Sequence, residues 1–219
     1  MTDLKPEIAC QRLIKKLREK GITDERVLEA IRKVPRHQFV DQALYGQAYD
    51  DNALPLGYGQ TISQPYVVAL MTQLLKLGHD DKILEIGTGS GFQTAILAQF
   101  SRRVYTIERN HDLGETARKR LRSMGYANVV FKVADGSQGW IQYAPFDRII
   151  VTAGAPVTPK SLCDQLAIGG RMIIPSGSRD LQQLEIYDRT PEGFTKESAG
   201  GVVFVPLVGE HGWSANGEK

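Results

Sequence analysis

Only two cysteines occur in 219 residues, and Cys10 and Cys163 form no Cys-x-x-Cys pair. A disulfide framework and a four-ligand zinc site are therefore excluded, and both thiols read as core residues. No run approaches the roughly 18 uncharged apolar residues that a membrane-spanning helix needs. The opening MTDLKPEIAC places Asp3, Lys5 and Glu7 where a secretory signal requires an apolar stretch, so a cytoplasmic protein with no membrane association is expected. Charge of one sign is also lacking: 27 Lys and Arg stand against 25 Asp and Glu, a formal net charge of +2. That field is too weak to draw a polyanion, and no nucleic-acid partner is expected. There is no repeat at a period of roughly 20–50 residues and no low-complexity tract. What remains, 42% hydrophobic and 24% charged, is ordinary globular composition for one core with an extension.

The chain changes character near residue 78. Before it, Ala9, Leu13, Ile14 and Leu17 form the apolar stripe of a helix ended by Gly21. A second helix follows Thr23 as N-cap, turns Val27, Leu28, Ile31 and Val34 inward and stops at Pro35. A third starts near Ser63 or Gln64, holds Pro65 in its first turn, buries Val67, Val68, Leu70, Met71, Leu74 and Leu75, and ends at Gly78. Afterwards short apolar runs alternate with helical ones. Strands are expected at Lys82 to Ile86, Val104 to Ile107, Val129 to Val133, Arg148 to Val151, Arg171 to Ile174, Leu184 to Tyr187 and Val202 to Val205. Right-handed crossovers favour parallel order for at least the first five, in an open α/β sheet of seven strands. The division expected is residues 1–77 as a helical extension carrying a loop and 78–219 as the sheet-containing unit, within one compact body.

Leu84 to Phe92 reads LEIGTGSGF, a strand entering glycines at 87, 89 and 91 and then a helical stretch. Such glycines let the backbone approach a ligand, and the helix N-terminus offers free amides. A dinucleotide fingerprint would want glycine where Phe92 stands. Glu108 ends the second strand, twenty-three positions after Glu85, where a carboxylate reaches both hydroxyls of a ribose. Asp135, followed by Gly136, can accept from an exocyclic amine, although a strand-end Asp also caps a turn.

These features together resemble the seven-stranded, Rossmann-like S-adenosylmethionine-dependent methyltransferases, over roughly residues 78 to 175. The resemblance implies S-adenosylmethionine as co-substrate. Glu85, Gly87, Thr88, Gly89, Ser90 and Gly91 would line its methionine part, Glu108 its ribose, and Asp135 with Gly136 its adenine. It also implies an antiparallel seventh strand.

The fourth strand ends Val151-Thr152-Ala153-Gly154-Ala155-Pro156 and carries no Asn-Pro-Pro-Tyr, which argues against methylation of an amine or base. No His, Asp and Glu cluster of metal-ligand spacing lies beside it, so no metal is expected. Asp50 to Tyr66, DDNALPLGYGQTISQPY, is too rich in turn residues for a core element and too apolar for a linker; it reads as a working loop.

That loop, with LEIGTGSGFQTAILA, FDRIIVTAGAP and FVPLV, closely resembles the protein-L-isoaspartate O-methyltransferases from about residue 8 to 213. The resemblance implies an enzyme that methylates the free α-carboxyl of isoaspartyl residues, with D-aspartyl sites a further candidate, in damaged proteins and peptides; repair then proceeds through a succinimide. A carboxylate is already ionised at neutral pH, so the reaction needs no general base. Ser63 and the loop amides are expected to hold one carboxylate oxygen in line with the sulfonium methyl, at roughly 3 Å. The other role open to Ser63 is capping the third helix. Thr61, Ile62, Val205 and Leu207 are the expected substrate contacts.

The basic runs Lys15, Lys16, Arg18, Lys20 and Arg118, Lys119, Arg120, Arg122 read as solvated helix faces, His37 and His111 as surface or capping residues, and Trp140 and Trp213 as packing anchors. A monomer is expected. Rival readings are a methyltransferase acting on RNA or a small molecule, and a module that binds cofactor or nucleotide without catalysis.

Overall fold

A computed structural model describes residues 6–214; the first five residues, with Asp3 and Lys5, and the last five of the tail lie outside it. Three helices come first: α1 (Pro6–Glu19), α2 (Glu25–Lys33) and α3 (Pro65–Leu74). Between α2 and α3 lie two 3-10 turns and an antiparallel hairpin, β1 (Leu54–Gly57) and β2 (Gln60–Ile62), which pairs Leu54 with Ile62. The segment read from the sequence as a loop is thus a short hairpin. Its turn residue Tyr58 adopts φ +54, flanked by Gly57 at +85 and Gly59 at +67.

Seven strands then build one sheet: β3 (Lys82–Ile86), β4 (Arg103–Glu108), β5 (Val129–Val133), β6 (Phe146–Val151), β7 (Leu166–Gly177), β8 (Gln182–Thr190) and β9 (Gly193–Val202). Their spatial order is β5-β4-β3-β6-β7-β8-β9. The first five are parallel, as right-handed crossovers require. The remaining helices are α4 (Phe92–Leu97), α5 (His111–Ser123) and α6 (Lys160–Asp164).

Side chains alternate across the sheet. On β3, Ile83 joins one buried cluster with residues of α1 to α5, including Leu17, Ile31, Met71, Phe92 and Leu121. Leu84 and Ile86 turn the other way and pack with Tyr105, Trp140, Phe146 and Met172. Period-two alternation with apolar residues on both faces is what a doubly covered parallel sheet needs. Because the first cluster also contains Cys10, Val27, Ile62 and Val68, burial against the sheet fixes the hairpin and its flanking helices to the strands.

Four expectations change. Asp24 caps α2, accepting from the Arg26 amide at 2.9 Å, while Thr23 donates its amide to Gln73 at 2.7 Å. Helix α3 stops at Leu74 because Lys76, at φ +51, takes the left-handed position that ends a helix, four residues short of Gly78. The strand that runs against the others is β8, the sixth of the sheet in chain order; β9 is antiparallel to β8 and so shares the direction of the first five. Finally, the last strand spans Gly193–Val202, and Val202 to Val205 lies at and beyond its end. There the Phe204 amide donates to the Gln182 side chain at 2.7 Å, and the Val205 carbonyl accepts from the Gly154 amide at 2.8 Å. The chain therefore leaves the edge and crosses over the end of β6. Strand β9 itself is an exposed edge of polar and charged residues, broken by Gly200 at φ +103.

The two capping assignments are separable by urea melts. Asp24→Ala is expected to cost about 1 kcal/mol by removing a helix cap, whereas Thr23→Ala is expected to stay within about 0.5 kcal/mol.

Candidate active site

The carboxyl ends of the parallel strands open into a cleft, bounded on the far side by the hairpin. Strand β3 delivers the chain to Gly87, Gly89 and Gly91, with φ of +96, +54 and +87. At Gly87 a Cβ would stand 2.5 Å from Thr152 Oγ1, whose hydroxyl donates to the carbonyls of Ile86 and Gly87. At Gly89 nothing lies within 4 Å of a built Cβ, so its backbone faces open space. Helix α4 begins directly afterwards, its first amide, that of Phe92, donating to the hydroxyl of the cleft residue Ser90 at 3.2 Å.

Glu108 closes the arrangement. Its Oε2 accepts from the Gly89 amide and its Oε1 from the Asn110 amide, both at 2.9 Å. The carboxylate thus spans the glycine turn and the residue capping α5, while each oxygen keeps lone-pair capacity for a hydroxyl. These donors and acceptors fit the ribose and methionine parts of S-adenosylmethionine: a diol acceptor, a bare glycine backbone and a helix N-terminus.

Of the residues expected at the site, Gly87, Thr88, Gly89, Ser90, Glu108, Gly136, Thr61, Ile62, Ser63, Val205 and Leu207 line the cleft together. Gly91 lies just behind, its position for a Cβ 2.9 Å from Leu121. Glu85 does not reach the cleft. It is fully buried on the α4 face of the sheet, where Oε2 accepts from Thr94 at 2.5 Å and Thr106 at 2.7 Å. Thr106 and Thr88 hydroxyls are 2.6 Å apart, so Glu85 anchors a hydroxyl chain whose last member, Thr88, faces the cleft. Burial pushes the Glu85 carboxyl up to about 8.

Asp135 is likewise outside the lining. Its Oδ1 accepts from the Ser137 amide and hydroxyl and its Oδ2 from the Glu210 amide, tying the strand end to the tail. These bonds hold its carboxyl below the ordinary range against the opposing effect of burial. Ser63 does not cap α3, because Gln64 holds the N-cap position; the Ser63 carbonyl accepts from Arg36 at 2.8 Å. The Val205 to Leu207 segment is bound to Gly154 on both sides of Pro206, whose missing amide leaves no donor unmet.

Several cleft residues gave no sequence signal. Tyr58, Gln93, Asn110 and Thr152 line it, and Arg120, read as part of a solvated face, is half-buried and donates to the Ser90 carbonyl at 2.7 Å. The spacing of Arg120 to the glycine turn across α4 and β4 has no local pattern. Trp140 packs edge-on to Tyr105, and Trp213 donates to the Gly154 carbonyl at 3.0 Å, so both anchor as expected. His37 bonds the Tyr49 hydroxyl. Among the described residues no group of three His, Cys, Asp or Glu is placed to hold a metal ion, and no helix is long and apolar enough to cross a membrane.

The parallel sheet with its glycine turn and strand-end acid defines an S-adenosylmethionine-dependent methyltransferase. Comparison with known proteins narrows the class. Residues 9–212 match the family Protein-L-isoaspartate(D-aspartate) O-methyltransferase (PCMT), and the chain belongs to that family. It is 53% identical over 203 residues to the protein-L-isoaspartate O-methyltransferase of Dictyoglomus thermophilum, covering 93% of this chain and 92% of the relative. It is 56% identical over 194 residues to protein-L-isoaspartate O-methyltransferase 1 of Syntrophobacter fumaroxidans, covering 89% and 91%. A solved protein-L-isoaspartate O-methyltransferase superposes with a TM-score of 0.84 at 27% identity, over 93% of this chain and 67% of that one. A Plasmodium falciparum structure named for the same activity, in complex with S-adenosyl-L-homocysteine, superposes with a TM-score of 0.79 at 26% identity, over 90% and 97%.

Because Glu85 is held protonated in the fold but ionises near 4.5 when unfolded, its own contribution to stability is fully present below that pH and is lost as pH rises toward about 8, by a few kcal/mol. Glu85→Gln, neutral at every pH, is expected to flatten that dependence in denaturation curves taken between those limits.

Proposed function

We propose that this chain transfers a methyl group from S-adenosylmethionine to the free α-carboxylate of L-isoaspartyl residues in damaged proteins and peptides, with D-aspartyl residues as a further acceptor to be tested. The observation that carries the reading is the chemistry of the cleft. Among the described residues lining it, Glu108 is the only acid and there is no histidine, lysine or cysteine. Glu108 is committed to the amides of Gly89 and Asn110 on the glycine side. No side chain there is placed to remove a proton from an alcohol or amine. An acceptor that arrives ionised needs none, and a carboxylate is such an acceptor.

When bound, S-adenosylmethionine supplies an electrophilic methyl carbon on a sulfonium. The chain's own work is to bind and orient. Glu108 accepts from the ribose hydroxyls, the Gly87 to Gly91 backbone and Thr88 and Ser90 hold the methionine part, and Asp135 with Gly136 marks the adenine end. Opposite, Ser63 holds one acceptor oxygen through its hydroxyl, while Thr61, Ile62, Val205 and Leu207 hold the backbone on either side of it. In this reading residues 1–77 form the acceptor-side extension and 78–219 the cofactor-binding unit. On the same reading the chain works as a monomer in the cytoplasm on damaged polypeptides, and its formal net charge of +2 gives it little field to draw a nucleic-acid partner.

Matched isoaspartyl and aspartyl peptides test the reading directly: base-labile methyl ester is expected on the isoaspartyl member alone, and equal labelling of both would overturn it. Glu108→Ala is expected to weaken S-adenosylmethionine binding about 10- to 150-fold in calorimetry, the loss of hydrogen bonds to a charged group. Ser63→Ala is expected to lower kcat/KM for the isoaspartyl peptide about tenfold with cofactor affinity within twofold; near-normal turnover would remove Ser63 from the site.

A further inference from the structure

Arg36 has a setting unlike that of the other arginines. It follows the Pro35 that ends α2, and it is 1% exposed. Its Nε donates to the Ala48 carbonyl at 2.9 Å, and its Nη2 to the carbonyls of Ser63 at 2.8 Å and Asn52 at 3.4 Å. Asn52 and Ser63 are the two feet of the β1–β2 hairpin, so one guanidinium holds the hairpin at both ends. Its carbon lies 4.8 Å from the ring centroid of Phe92, which opens α4 and lines the cleft.

All of these partners are carbonyl dipoles or a π face. Among the described residues Arg36 forms no ion pair, and its Nη1 is buried with no hydrogen-bond partner. The carboxylate that acts on it, Asp51, is buried and bonded to Lys20 at 2.5 Å and to the Tyr66 amide at 2.9 Å. Burial lowers the guanidinium to about 9, which leaves it cationic at neutral pH. A buried cation with no ion-pair partner, hydrogen-bonded only to carbonyls and sharing the field of Asp51 with Lys20, favours an anion entering nearby.

We propose that Arg36 is a positioning residue for the acceptor: it fixes both feet of the hairpin and places a positive charge without an ion-pair partner against the Ser63 backbone, which makes that seat selective for an anionic carboxyl over its neutral amide. The proposal rests on the acceptor reading above and names a determinant of its charge selectivity. Arg36 reaches the acceptor through the Ser63 backbone and the local field, not by entering the cleft.

The test compares wild type, Arg36→Met and Arg36→Lys. An isoaspartyl peptide is the substrate, and its isoasparaginyl analogue, the same peptide with the α-carboxyl amidated, is a competing ligand. Calorimetry with S-adenosylmethionine checks each folded site. Wild type is expected to bind the acid at least tenfold better than the amide. In Arg36→Met that preference is expected to fall toward one, with acceptor KM up at least tenfold and cofactor Kd within twofold. Arg36→Lys keeps the charge but cannot span both feet, so it is expected to keep the acid preference while acceptor KM rises several-fold. A folded Arg36→Met that retains the full acid preference overturns the proposal. Should Arg36→Met fail to hold cofactor, Arg36→Lys decides: a raised acceptor KM at unchanged cofactor affinity supports the assignment, and a wild-type KM overturns it. A wild-type protein that methylates no isoaspartyl peptide would instead strike the acceptor reading itself, a result distinct from any of these.

Discussion

The carboxylate of Glu108 is the contact on which the cleft depends. It sits where β4 ends and receives two amides, Gly89 from the turn after β3 and Asn110 from the cap of α5. The glycine turn, nineteen residues back in the chain, is thereby held to the end of β4 and the start of α5 at one point. Bonds to Ile107, Thr152 and Arg120 hold the flanks of the turn, but at Gly89, left-handed and with open space beside it, Glu108 is the side-chain acceptor that fixes its course. An acid at this place serves two ends, since the oxygens that order the turn also remain available to a diol. The parallel sheet makes this possible, because β3 and β4 run side by side and finish at the same level.

Beneath the turn, a second acid is used in the opposite sense. Glu85 is one strand away from Glu108 but faces into the body of the protein, where two threonine hydroxyls donate to one oxygen and burial favours the protonated form. Only three residues past it the chain has turned into the cleft. Alternation along the strand explains the difference: Leu84 and Ile86 share one face and Ile83 and Glu85 the other. A single strand therefore supplies both a neutral internal strut and the entry to a polar pocket.

How far the sequence reaches can be judged element by element. Strands β3 and β5 fall on the residues expected, because each is a short apolar run bounded by loop residues, and the glycines and Glu108 stand where the spacing puts them. The hairpin escaped notice because LPLG and QTI are too short to show alternation, and its turn needs Tyr58 in a left-handed conformation that few non-glycine residues adopt. The last strand was misplaced for the reverse reason. Val202 to Val205 is the more apolar run, yet pairing with β8 selected the polar segment before it and sent the apolar one across β6. Glu85 and Asp135 stand at the motif positions that point to a ligand, while the side-chain and backbone partners each holds come from segments up to 75 residues away, which no local pattern shows. Arg36 illustrates the same limit: nothing near it in the chain announces that its partners are Ala48, Asn52 and Ser63.

The outer edge of the sheet bears on what such a protein handles. Strand β9 shows solvent a run containing Lys196 and Glu197 and is bent at Gly200. Charge and a kink are the means by which an open strand avoids being zippered onto by another extended chain. An enzyme whose clients are polypeptides meets extended backbone as part of its work. By keeping its own margin uninviting, it confines the grip on those clients to the cleft, and lets go of them elsewhere.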